Sequence, residues 1–555
     1  MARLSAILCL GLAAAVSGVM SAAPACASES GDGPRFYEGF GAYTRAVTTE
    51  SAEAQQWFDQ GLQLLYGFNH DEAIRSFLRA AEISPDCAMA WWGAAYAKGL
   101  HINNPEMTEE ASIEAYGYAQ EAMARIENAS PVEQALIRAV NVRYALPVPE
   151  DRSPLDHAYA DAMEQAWRDF PGDPDVGALF AESLMNLQPW DLWTPSGEPK
   201  GRALEIVAAL ERVLDLNQFH PGGNHFYIHA VEASLSPERA EAAADRLAFL
   251  VPGSGHLVHM PAHIYARVGR WGDASEANVR AIDADRRYFA VAPAPGFYSL
   301  YYVHNLHFLA WAAMMEGRYE TALGAARGIQ EEIPEAFLQE YTYIADGFMP
   351  TAYHVLIRFG KWEAILEEPE PPAFRHISRA SWRYARSVAL SNLGRLDEAR
   401  AELAAFDEET AQIPEDWVIM ENTGRDVMNI ARLMAQGELA FFDGRPEDAF
   451  AALREAAVLE DQLAYDEPPG WMQPVRHALG ALLLASNRPE EAADVYREDL
   501  ERRPKNGWGL LGLTQALRGL ERADEAEALT PELEAAWARA DVAPVASCYC
   551  HPDAE

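Results

Sequence analysis

AQQWFDQGLQLLYGFNHDEAIRSFLRAAEISPD, residues 54–86, decides the fold. Trp57, Gly61 and Leu64 fall on one helix, Ala73, Phe77 and Ala80 on a second, and Pro85 closes the unit. Small residues at such positions let two antiparallel helices cross closely, and large ones fill the seam beside them. The proline stops the second helix, because it has no N–H to continue the ladder.

With Ala73 as a ruler, further units align at Ala240, Ala274, Ala322, Ala399, Ala449, Ala492 and Ala526, and Ile365 takes the same place in a degenerate one. The spacings 240→274, 365→399 and 492→526 are each 34 residues, and larger gaps such as 274→322 imply inserted loops. Pro252, Pro334 and Pro504 each lie 12 residues after their ruler, as Pro85 does after Ala73. Helix turns recur at Gly269-Arg270-Trp271, Gly317-Arg318-Tyr319, Gly360-Lys361-Trp362 and Gly394-Arg395-Leu396. No sustained period-2 alternation competes.

This pattern resembles the tetratricopeptide repeat (TPR) over 51–100 and 221–541. The resemblance implies an all-α, right-handed superhelical solenoid of helix-turn-helix repeats with loop insertions. The strings NHFYIHAVEAS, GHLVHMPAHIYARVGR and HNLHFLAWAAMMEGR are similar to those of a group of exported bacterial TPR proteins, a likeness that supplies no reaction. The chain then divides into a signal segment 1–27, an N-terminal extension 28–50 and first repeats 51–102. Degenerate helical repeats follow at 103–220, His-rich repeats at 221–366, C-terminal repeats at 367–541 and a Cys-containing tail at 542–555. The stretch QPWDLWTPSGEPKG, 188–201, reads as an ordered loop or lid, because flexible linkers seldom carry tryptophan. Segments 290–302 and 367–372 are further insertions.

Composition narrows the function. With 44 Lys+Arg against 84 Asp+Glu, the formal charge of −40 repels phosphate backbones and anionic lipid, which argues against nucleic-acid and membrane-surface partners. Arg3, the apolar run 6–20 and Ala25-Cys26-Ala27 read as a secretory signal, with export to the periplasm or medium expected. A lipid-modified Cys26 fits poorly after Ala23-Pro24-Ala25. The apolar run is too short to span a bilayer, so no membrane span is expected. Cleavage leaves Cys87, Cys548 and Cys550, which is no disulfide framework. A single-chain solenoid is expected to be a monomer.

Eight of the 15 histidines lie between His220 and His307. Counting back 19 residues from each ruler starts units at Pro221, Gly255, Val303, Asp346 and Gln473. In that frame His225, His259, His307 and His477 share the fifth slot, His229, His263 and His354 the ninth, and His256 and His304 the second. Glu232 and Met314 share the twelfth. The TPR resemblance implies that these slots of the first helix line a concave groove. Nine of the eleven histidines from His220 to His477 therefore fall on one face.

Clustered imidazoles repel if protonated together, and each neutral ring needs partners for both nitrogens. A divalent metal resolves both, and a His-rich set with one carboxylate suits Zn, Cu or Fe, with Ni a further fit. The expected ligands are His225, His229, Glu232, His256, His259, His263, His304 and His307, for one or two ions. His220 and His354 are further candidates, Asn224 or Asn305 would orient a ring, and Met185, Met314 and Met349 offer thioethers. Cys548, Cys550 and His551 form a soft-metal set on a tail that would deliver or cap the metal, the alternative being a strained or absent disulfide on a frayed tail. A peptide or protein partner in the groove, without metal, and histidines that merely pack remain open beside this.

Two function classes result. One is a binding scaffold for metal, peptide or both. The other is a metal-dependent hydrolase or oxidase with Glu232 as base and Tyr227 or Tyr265 behind it. HExxH, P-loop, dinucleotide and GxSxG motifs are absent, so a zincin, a nucleotide cofactor and a serine hydrolase are not supported. Trp91-Trp92, Trp190 and Trp193 are candidate aromatic walls.

Overall fold

Paired helices account for nearly all regular structure in the computed structural model, which describes residues 34–292 and 296–552. Among the described residues the sole sheet is a hairpin of Val418–Ile419 with Asn422–Thr423. The signal segment 1–27 lies outside the described residues. No helix among them is long and apolar enough to cross a membrane.

The first repeat shows why the pattern folds. Ser51 caps Ala52–Tyr66 by accepting from the Ala54 N–H, and His70–Ile83 returns antiparallel to it. A Cβ on Gly61 would meet the Phe77 ring at 2.7 Å, and one on Gly93 would meet the same ring at 2.5 Å. Glycine on both flanking helices therefore makes the slot that the buried Phe77 fills. Every ruler residue from Ala73 to Ala526 is 0–1% exposed, the seam position in each unit. Gly269, Gly317, Gly360 and Gly394 all adopt positive φ, between 62° and 79°, which a Cβ would penalise.

The chain packs as two compact units, 34–264 with 279–302, and 265–278 with 303–552. This partition divides the expected His-rich block 221–366. In the first unit the weakly patterned stretch holds regular helices: Glu109–Ala124, Pro131–Val142, Ser153–Asp169, Pro174–Met185 and Ala203–Leu216. Residues 188–201 form a loop pinned by a Trp193–Pro199 bridge. The second unit packs the same helix pairs around a core that includes Trp471, Phe406, Phe450 and Tyr496.

Candidate metal centre

The His-bearing helix Pro221–Val231 starts on His220, whose ring Nδ1 accepts from the Gly223 N–H at 2.8 Å, with Pro221 at the first helical position. The opposite ring nitrogen of His220 faces Asp175 at 3.2 Å. Asp175 also pairs with Arg45 at 2.8 Å and accepts from the Tyr66 hydroxyl at 2.6 Å. Burial would push the Asp175 carboxyl up, but His220 and Arg45 hold it well below the usual range. His220 thus has both nitrogens engaged in a buried knot and is a cap, not a metal ligand. Asn224 likewise faces backbone carbonyls and Arg246, and orients no ring.

The next histidines ride on two short segments. Ser254 caps Gly255–His259, and Pro261, lacking an N–H, restarts the chain as Pro261–Arg267. His256 and His259 precede the break, and His263 follows it.

Five imidazoles and Glu232 come together in the first unit, all 0–6% exposed. The ring Nδ1 of His225 donates to the Tyr66 carbonyl at 2.7 Å, so its Nε2 carries a lone pair. Glu232, at the C-cap of its helix, uses both oxygens on rings: Oε1 lies 2.8 Å from His229 Nδ1, and Oε2 lies 2.7 Å from His263 Nδ1. The His229 Nδ1 therefore carries a proton and its Nε2 presents a lone pair, whereas the His263 contact is an ion pair outside hydrogen-bond geometry. His229 Nε2 is buried with no hydrogen-bond partner. His256 Nε2 faces His225 Nε2 at 3.1 Å, and His259 Nε2 faces His263 Nε2 at 2.8 Å. At such a contact one ring donates its proton, or a cation takes both lone pairs. One ring nitrogen from each of His225, His229 and His256 lies within 4.8 Å of the others.

Electrostatics follow from this packing. Burial, followed by the neighbouring His229 ring, holds His225 well below the usual imidazole range. Burial would raise the Glu232 carboxyl, but the His263 and His229 rings hold it well below its usual range, as an ionised acceptor. Glu232 is therefore committed to orienting two rings and is not placed as the free base expected from its spacing. Tyr227 donates to Glu211, and the Arg270 guanidinium lies 4.1 Å from the Tyr265 ring.

Residues outside the histidine pattern complete the site. Phe68, in the first repeat's turn at φ 56°, stacks on His101 at 4.3 Å and on His256 at 5.5 Å, and tilts against His225 at 4.6 Å. A bulky residue at positive φ is strained, a recurring feature of functional sites. His101 meets His70 edge-on at 4.4 Å, and burial holds His70 down to about 3. The loop 188–201 puts the Trp190 edge 5.2 Å from His229, and the Trp193 indole donates to the Ala230 carbonyl at 2.8 Å. Tyr301 lies 4.2 Å from His256. Two of the three insertions named from sequence, 188–201 and 290–302, thus pack on the cluster, whose rings are buried.

Further sequence-chosen residues sit in the second unit. His304 is half-buried. His307 packs edge-on against Phe348 at 5.2 Å, and burial pushes it down to about 3. His354 lies against Trp471 at 5.1 Å, pushed by burial down to about 4. Met314 is buried as packing, its carbonyl accepting from the Trp508 indole. Cys548 and Cys550 are joined as a disulfide, which offers no thiolate for a soft metal. The described part of their tail is tied to the repeats: Arg358 donates to the Ser547 carbonyl at 2.9 Å, and the Ser547 and Tyr496 hydroxyls meet at 2.6 Å. His551, beside them, is half-buried.

No family model matches the chain, and no curated protein matches it. Solved structures of TPR-type proteins do. Human IFIT1 dimer with PPP-AAAA matches at 12% identity and TM-score 0.31, over 85% of this chain and 88% of that one. The APC/C hetero-tetramer Cut9-Hcn1 matches at 12% and 0.31, over 85% and 76%. Yeast Tom70 matches at 10% and 0.28, over 87% and 90%. At these scores no ligand or partner passes from them to this chain. The chain is an all-α helical-repeat protein with His and Glu groups placed so that they could hold a metal.

Proposed function

We propose that this is an exported TPR-like binding protein that holds a transition metal in the first unit through His225, His229 and His256. A second ion would take His259 and His263, on the other side of Glu232. The observation that carries this is the buried, unpartnered Nε2 of His229, on a ring held by Glu232 that brings one of its nitrogens within 4.8 Å of ring nitrogens of His225 and His256. A buried lone pair with no donor costs about 1–3 kcal/mol, and a cation removes that cost.

Three imidazoles, two of them oriented by a carbonyl and a carboxylate, match what Zn²⁺ takes when one coordination position stays open, and Cu²⁺ or Fe also accept such a set. An extended peptide reaches rings that are 0–6% exposed only by displacing both insertions, so the metal reading is favoured over a peptide groove. A peptide or protein partner would use the remaining surface of the repeats, the usual role of such scaffolds.

The enclosure by Trp190 and Tyr301 favours one second reading. A metal with an open position in a covered pocket is also the layout of a metal-dependent hydrolase or oxidase. Elemental mass spectrometry of natively exported, tag-free protein tests the proposal. One or two equivalents of Zn, Cu or Fe are expected, lost in a His225→Ala/His229→Ala variant. Folded protein that carries no metal and takes up none of these ions would contradict it.

A further inference from the structure

The second unit holds a buried acid beside the tail disulfide. Glu438, on helix Gly424–Phe442, is 1% exposed and accepts from Asn392 Nδ2 at 2.9 Å. Burial pushes its carboxyl up to about 7, and no cation offsets the shift. A Glu438 oxygen and the sulfurs of Cys548 and Cys550 lie within 4.8 Å of one another.

This bridge is poorly suited to a structural role. It joins residues two apart, so it removes little entropy from the unfolded chain, whereas stabilising bridges close long loops. The two sulfurs are also unequal, Cys548 being half-buried and Cys550 0% exposed. The repeats hold the tail on both sides of the bond. Ser547 is fixed by Arg358, Tyr496 and the His477 carbonyl, and the Tyr549 ring packs 6.3 Å from that of Trp508. The backbone is therefore kept in place when the bond opens.

We propose that Cys548–Cys550 is a thiol–disulfide exchange site for a dithiol, with Glu438 as proton donor to Cys550. A thiolate of the dithiol attacks the Cys548 sulfur, and the electron pair of the S–S bond passes to Cys550. Cys550 takes the Glu438 proton, through one water or a rotation about its Cα–Cβ bond. The second thiolate of the dithiol then attacks the mixed disulfide and releases Cys548 as a thiolate, which takes a proton from solvent. In sum the protein gains two electrons and two protons, the dithiol becomes a disulfide, and Glu438 recovers its proton from solvent. Access to one sulfur is what such exchange requires, and a proton delivered to the departing thiolate favours it.

The test reduces the full-length oxidised protein with dithiothreitol at pH 7 and follows alkylation of the tail peptide by mass. The native protein is expected to be reduced without unfolding, and Glu438→Gln to be reduced about tenfold more slowly or less. A wild-type rate in Glu438→Gln would overturn the proposal. If that variant fails to fold, single-cysteine variants decide. Cys548 in Cys550→Ser is expected to form a mixed disulfide with dithiobis-nitrobenzoate at least about tenfold faster than Cys550 in Cys548→Ser. Equal or reversed rates would overturn it.

Discussion

Glu232 accepts the Nδ1 proton of His229 at 2.8 Å, and this bond turns the opposite nitrogen of the ring, as a lone pair, into the cluster. Removing the carboxylate frees the tautomer and the ring. Glu232→Ala is expected to keep the fold and to weaken Zn²⁺ binding about 10- to 100-fold, the usual cost of losing such a partner. A chelator competition titration measures it, and unchanged affinity would remove Glu232 from the site.

Asp175 ties Arg45, Tyr66 and His220 into one buried knot, and Tyr66 in turn presents the carbonyl that orients His225. Asp175→Ala leaves Arg45 buried without this partner. Urea unfolding of the variant should show a loss of about 3–5 kcal/mol. A loss below 1 kcal/mol would mean the knot relaxes into solvent.

Trp190 covers His229 from a loop, at φ 59°, so its contribution is to access more than to stability. Trp190→Ala should speed metal loss to a chelator by about tenfold, because an apolar cover controls solvent entry. Stopped-flow extraction reads this directly. A wild-type extraction rate would show that ions enter by another route.

His307 is pushed by burial down to about 3, against 6.5 for an exposed ring. Its unfolded form binds a proton first, so its contribution to stability falls as pH drops from about 6.5 toward 3. In metal-free protein, the stability of His307→Gln relative to wild type should therefore rise by about 2 kcal/mol between pH 7 and pH 5. Urea midpoints at the two pH values test the sign; no change between them would place the ring in water.

The fold was legible because each repeat writes its own seam. The ruler residues and turn glycines are local, and all of the rulers are buried where the 34-residue period puts them. The histidine face was legible for the same reason, since helical spacing alone aligns His225 with His229 and His256 with His259. What completes the site was not. The Tyr66 carbonyl is a backbone atom 159 residues from His225, and Phe68 enters from a turn, where the one local signal is a bulky residue in place of glycine or asparagine. Spacing also could not separate ligand from cap. His220 sits beside the pattern and Glu232 within it, yet His220 is engaged by Asp175, 45 residues away, and Glu232 meets His263 on the next repeat as well as its own neighbour His229.

The most direct measurement is X-ray absorption at the Zn K-edge of protein loaded with one equivalent of Zn²⁺. Three imidazole nitrogens at about 2.0–2.1 Å are expected, with the multiple-scattering pattern of histidine rings. His225→Ala should reduce that number by one. A shell of oxygens alone, or a spectrum that His225→Ala and His229→Ala leave unchanged, would contradict the three-histidine centre.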